Sequence, residues 1–144
     1  MSAPLLEVRG LSVGFRHGPR GEVRGAVDDV SLTVARGRRV GLVGESGSGK
    51  SLTSLAILGL LDEATTQVTG QVFYEGEELR AAGPARRREL LGDRLALVFQ
   101  DPLAAMNPLQ RVGTQVVEAL TLRQKLSRKE ARAKAIALLQ RVGR

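Results

Sequence analysis

The sequence predicts an α/β protein, and three stretches carry that prediction. Gly44–Ser51 (GESGSGKS) lies between two apolar runs, Val40–Val43 and Leu52–Leu61. Near the N-terminus Leu6, Val8, Leu11, Val13 and Phe15 recur at almost every second position, the period of a strand with one wet face. Leu95–Phe99 (LALVF) is apolar without interruption, as in a strand covered on both faces of a parallel sheet.

Taken in order, Leu5–Phe15 reads as a strand, with Gly10 at the break in its alternation marking a bulge. Arg16–Glu22 is a turn-rich loop, Val23–Val34 a second strand and Arg36–Arg39 a tight turn. Val40–Val43 is a short strand that ends at Gly44. A helix from Gly49 to Leu61 follows, apolar nearly all round and so expected to be buried. Val68–Leu79 alternates and carries Glu75-Gly76 at its centre, which predicts a hairpin. A polar connector enters a short helix after Pro84, and Leu95–Phe99 forms the buried strand. Beyond Pro102 the pattern turns helical, over Val112–Leu122 and Ser127–Val142. The last helix opens on SRKE, a capping box of Ser127 and Glu130, and its apolar face is Ala135, Ile136, Leu138, Leu139 and Val142.

Composition narrows the function classes. With 42% apolar and 26% charged residues the 144-residue chain has enough apolar content for a core. It has no cysteine, which removes disulfides and thiolate metal sites and fits a reducing compartment. The opening MSAPLLEVRG has no apolar block and does not read as a secretory signal. Leu52–Leu61, interrupted by Thr53 and Ser54, has about half of the roughly 20 residues that span a bilayer. The net charge of +7 comes entirely from residues 111–144, where nine Lys/Arg face only Glu118 and Glu130. No aromatics interleave these cations to stack on bases, so they read as a solvated helix face and not as a nucleic-acid surface.

Gly44-Glu45-Ser46-Gly47-Ser48-Gly49-Lys50-Ser51 matches G-x-x-x-x-G-K-[ST] at every fixed position. A polyphosphate is held best by several backbone N–H groups converging from a tight loop, which needs glycine dihedrals and no Cβ in the way. The helix that follows adds its positive end. Lys50 then places a cation on the β- and γ-phosphates, and the Ser51 hydroxyl can ligate Mg²⁺. A flexible Gly/Ser linker would predict neither the preceding strand nor the following helix. Gln100, which ends the LALVF run, brings a polar side chain to the end of the sheet where ligands bind. Asp101 offers a competing reading as a metal-binding carboxylate, weakened by the intervening Gln and by Pro102 immediately after it.

GESGSGKS, VFQDP about fifty residues later and MNP just beyond resemble the ATP-binding subunit of ABC transporters, and more narrowly the oligopeptide/dipeptide/nickel importer group. LEVRGLSVGF and AVDDVSLTVARGRRVGLVGESGSGKS carry the likeness across nearly the whole chain. The resemblance implies a P-loop NTPase core of the ABC-ATPase type with an antiparallel β subdomain over residues 1–100, and the start of a helical subdomain over 101–144. It implies ATP and Mg²⁺ as cofactors, with Gly44–Ser51 as the Walker A loop and Thr53 among the nucleotide contacts. Gln100 becomes the Q-loop glutamine, which contacts Mg²⁺ or the attacking water and couples the site to membrane subunits. Phe15 lies where the family often stacks an aromatic on adenine, although plain packing suits it equally; His17 beside it reads as simply exposed.

The resemblance further implies transmembrane permease subunits, a second ATP-binding subunit and, indirectly, an extracytoplasmic solute receptor, all at the cytoplasmic face of the inner membrane. The family's LSGGQ signature, Walker B Asp-Glu pair and switch histidine are not in these 144 residues. The chain is therefore expected to be the N-terminal portion of such a subunit, from a truncated or partial reading frame, with apolar sheet edges left bare and ATP bound without turnover. Two other readings stay open, a soluble ABC-type ATPase outside transport and a non-catalytic nucleotide-binding fragment.

Overall fold

The computed structural model describes residues 3–101, 105–124 and 126–143. They form two units, one ending at Leu91 and the other beginning at Gly92. The first unit is built on a four-stranded sheet in the order β2-β1-β3-β4, antiparallel throughout. Its strands are β1 (Leu6–His17), β2 (Glu22–Val34), β3 (Thr66–Tyr74) and β4 (Glu77–Glu78); helix α1 (Lys50–Ile57) follows β2 and packs on β1. Helices α2 (Gly83–Asp93), α3 (Val112–Gln124) and α4 (Arg128–Val142) complete the chain. This mixture of sheet and helix is the expected α/β class.

The break at Gly10 is a bulge, and it explains the buried set. Val8, Leu11 and Val13 are all almost fully buried, although Val8 and Leu11 are three residues apart and would point to opposite faces of a regular strand. Between Val8 and Leu11 the register shifts against β2, and between Arg9 and Ser12 it shifts against β3, while Gly10 adopts φ +57°. One extra residue restores the parity and brings all three side chains into a core shared with Val72, Tyr74 and Leu79. Burying each large aliphatic contributes roughly 1.5–3 kcal/mol. The β3–β4 hairpin closes through Glu75-Gly76, both at positive φ (50° and 85°), the two-residue primed turn that matches strand twist.

Three expectations need correction. Neither Val40–Val43 nor Leu95–Phe99 is a strand, and Val43 (94% exposed) and Val98 (93%) are almost fully exposed. A parallel strand is held only by ladder bonds to neighbours, and among the described residues neither run has a paired strand. Apolarity alone does not supply those bonds. The helix expected to reach Leu61 stops at Ile57. Gly59, at φ +64°, donates to the Ala56 carbonyl and the Leu60 amide reaches back to Leu55, a Schellman ending that turns the chain out. Within α1 only Thr53 and Ala56 are buried, because β1 covers one side.

In the second unit the inward face of α4 is Ala131 and Ala135, packed with Leu120 of α3 and flanked by Val116, Val117 and Leu126. Ile136, Leu138, Leu139 and Val142, expected beside Ala135, are exposed. A single facing helix covers one i, i+4 stripe, and the small alanines allow the closest approach. The helical portion expected from Pro102 begins in residues outside those described; α3 starts at Val112.

The capping box forms as read. The Glu130 amide donates to the Ser127 hydroxyl, while the Ser127 amide donates back to the Glu130 carboxylate at 2.9 Å. The Ser127 hydroxyl bond and, after it, the amide bond hold the Glu130 carboxyl below its ordinary value of 4.5. A carboxyl depressed in the folded state stabilises above its unfolded value, and that contribution is lost as pH falls through the folded one. Acidification below about pH 4.5 is therefore expected to fray the start of α4. Circular dichroism should show a helicity step that Glu130→Ala lacks; an identical titration in both proteins would mean the box contributes nothing.

Candidate nucleotide-binding site

The loop after Val43 is drawn round a single ammonium. Lys50 Nζ donates to the Gly44 carbonyl at 2.8 Å, the Glu45 carbonyl at 2.6 Å and the Ser48 hydroxyl at 3.3 Å. The Ser48 amide closes a turn on the Glu45 carbonyl at 3.2 Å. Gly47 and Gly49 take left-handed φ values of 80° and 89°. At Gly49 conformation and contact agree. A Cβ there would lie 2.9 Å from Val27 Cγ2 and 3.2 Å from the Ala26 carbonyl, so β2 forms a wall that admits only glycine. A Cβ on Gly44 would fall 2.6 Å from the Ser48 hydroxyl.

These turns leave backbone donors uncommitted. Among the described residues, the amides of Ser46, Gly47 and Gly49 donate to no protein acceptor. Helix α1 begins at Lys50 with no side-chain cap on Gly49 and no acidic residue in its first turn. Its first amides and its positive end are thus open to an external anion. Ser51 is exposed at this helix start, where its hydroxyl can reach a cation beside such an anion. Thr53, read from the resemblance as a nucleotide contact, is buried, and its hydroxyl (2.9 Å) and amide (2.8 Å) both donate to the Gly49 carbonyl. It anchors the loop to the helix.

A set of uncommitted amides, a lysine and a helix start within eight residues fits a polyphosphate. A family model described as ABC transporter matches residues 27–144. The chain belongs to the ABC transporter family. A Brucella abortus protein named as a peptide import ATP-binding protein is 48% identical over 141 residues, covering 98% of this chain and 42% of its own length. A Brucella suis protein of the same description matches equally. The dipeptide transport ATP-binding protein of Escherichia coli is 42% identical over 139 residues, covering 96% of this chain and 42% of its own. This chain thus spans about two fifths of the length of these relatives.

The matched ABC domain includes this loop, and such domains bind ATP. Two further residues are read from the sequence as site residues, Phe15 and Gln100. Phe15, on β1 opposite Arg24 and Thr66, is 39% exposed and outside the buried core. Gln100 is exposed at a bend in the second unit, after the irregular residues 95–99. Ala26 and Val27, which wall Gly49, went unread as site residues. No spacing in the sequence connects them to a loop twenty residues later, because their role depends on where β2 passes.

Proposed function

We propose that these residues form the nucleotide-binding portion of an ABC importer subunit that couples ATP binding and hydrolysis to uptake of peptides or similar small solutes. The observation that carries this reading is the Lys50-centred loop with its uncommitted amides, together with the import-type names of the relatives. In this reading the amides of Ser46, Gly47, Gly49 and the start of α1 hold the β- and γ-phosphates, Lys50 neutralises them, and Ser51 with Gln100 ligates Mg²⁺. Phe15 offers its ring to adenine. Residues 1–100 supply the α/β core with its β subdomain, and 101–144 the start of the helical subdomain. Among the described residues no helix is long and apolar enough to cross a membrane. Attachment to the cytoplasmic face of the inner membrane would then pass through permease subunits, with a second ATP-binding subunit alongside and a solute receptor on the far side.

Phosphoryl transfer in this family's arrangement needs a partner's signature residues and a carboxylate that orients water. These 144 residues are expected to bind ATP·Mg²⁺ without sustained turnover. Calorimetry with ATP and Mg²⁺, paired with a phosphate-release assay, tests both halves. No binding heat from folded protein removes the nucleotide reading, and a steady Lys50-dependent release rate removes the division of labour. Gln100→Ala should leave ATP affinity within about twofold, since its role lies in coupling and not in holding the phosphates. A large loss of affinity would overturn that role.

A further inference from the structure

A cavity of about 340 Å³ opens in the first unit where α1 ends and β3 begins. Three arginines from three different elements line it: Arg16 at the end of β1, Arg80 after β4 and Arg87 in α2. Arg80 is fixed by donating to the Val68 carbonyl. The Arg87 side chain is only 24% exposed. The Arg16 side chain has no hydrogen-bond or ion-pair partner among the described residues.

Little negative charge opposes them. Glu63 is the one carboxylate lining the cavity; it is 86% exposed and forms a loose ion pair with Arg87 at 3.7 Å, beyond hydrogen-bond reach. Neighbouring Asp62 is committed to its own turn, accepting from the Ala64 amide at 2.9 Å and the Thr65 hydroxyl at 3.4 Å. At the end of α1 the carbonyls of Ser54, Leu55 and Ala56 are occupied by the amides of Leu58, Leu60 and Gly59, which lessens their repulsion of an anion. Guanidinium forks match phosphate oxygens in geometry as well as charge.

From this convergence we propose that the cavity is a binding site for a phosphate-type oxyanion, with room for a phosphate that carries a small organic group. It is distinct from the Walker A loop: Lys50 opens α1, while Ala56 near the other end of the helix lines the cavity, so the rise of six helical residues separates them by roughly 9 Å. The Gln67 side chain supplies a neutral polar group at the same wall.

The test uses inorganic phosphate in the Lys50→Ala chain, which removes the other phosphate site. With ¹⁵N-labelled arginine and ionic strength balanced by chloride, the Arg16 and Arg87 side-chain resonances should shift saturably. The Arg16→Gln/Arg87→Gln pair should weaken phosphate binding about tenfold or more while ATP still binds the chain that retains Lys50. Shifts that never saturate, that chloride reproduces, or that need an intact Lys50 would overturn the site. Binding to phosphatidylglycerol vesicles with no response to free phosphate would overturn the small-ligand assignment. Should the double variant fail to fold, the resonance titration decides by itself.

Discussion

Gly70→Ala is expected to destabilise the first unit by roughly 2–5 kcal/mol, combining a forced left-handed backbone with overpacking. Gly70 sits at φ +92°, where an alanine would be strained in any surroundings. Its surroundings are also closed. A Cβ there would lie 2.4 Å from the Gly10 carbonyl oxygen, 2.7 Å from the Gly10 carbonyl carbon and 2.8 Å from the Arg9 carbonyl oxygen. All three atoms are backbone, so no side-chain rotation relieves the clash. The obstructing residues form the β1 bulge that brings Val8 into line with Leu11 and Val13, and moving them would disturb the core. Urea unfolding followed by circular dichroism and by the emission of Tyr74, the single tyrosine and a buried one, measures the loss. Gly76→Ala is the control: φ is +85° there, but nothing lies within 4 Å of the added Cβ. Equal losses in the two variants would show that the close crossing of β1 and β3 costs nothing.

Lys50→Ala should weaken ATP binding by roughly 1.5–3 kcal/mol, the range of a hydrogen bond to a charged group. The ammonium is the only cation among residues 40–79, and it is held by two carbonyls of the loop it serves. Its removal takes a positive charge from the phosphates and also frees the Gly44 and Glu45 carbonyls to turn into the loop. Both effects lower affinity. Lys50 is only partly buried and contributes to no core cluster, so thermal unfolding of the unliganded variant should match the parent closely. Unchanged affinity in calorimetry would mean that the phosphates bind elsewhere.

What was legible in the sequence is what short-range chemistry dictates. The Gly10 bulge, the Glu75-Gly76 turn and the Ser127–Glu130 box each depend on residues within a few positions of one another, and each forms as read. The Lys50 loop is legible for the same reason, since its lysine, glycines and serines span eight consecutive residues. Val40–Val43 and Leu95–Phe99 failed as strands because a parallel strand is defined by neighbours distant in sequence, about which a local apolar run says nothing. Ile136 and Leu139 failed as core because helical periodicity shows which residues share a face, not how much of it a partner covers. The wall that Val27 makes against Gly49 was hidden for a related reason, being a tertiary contact with no spacing rule.

The strand order β2-β1-β3-β4 has a kinetic consequence. The β1–β2 and β3–β4 hairpins close over short connections and can assemble within about ten microseconds. The seam between β1 and β3 must bring together strands separated by roughly fifty residues of intervening chain, which include the whole phosphate loop. That seam is the slow step of sheet formation, so the lysine's cradle reaches its final surroundings only once the two preformed ribbons have met.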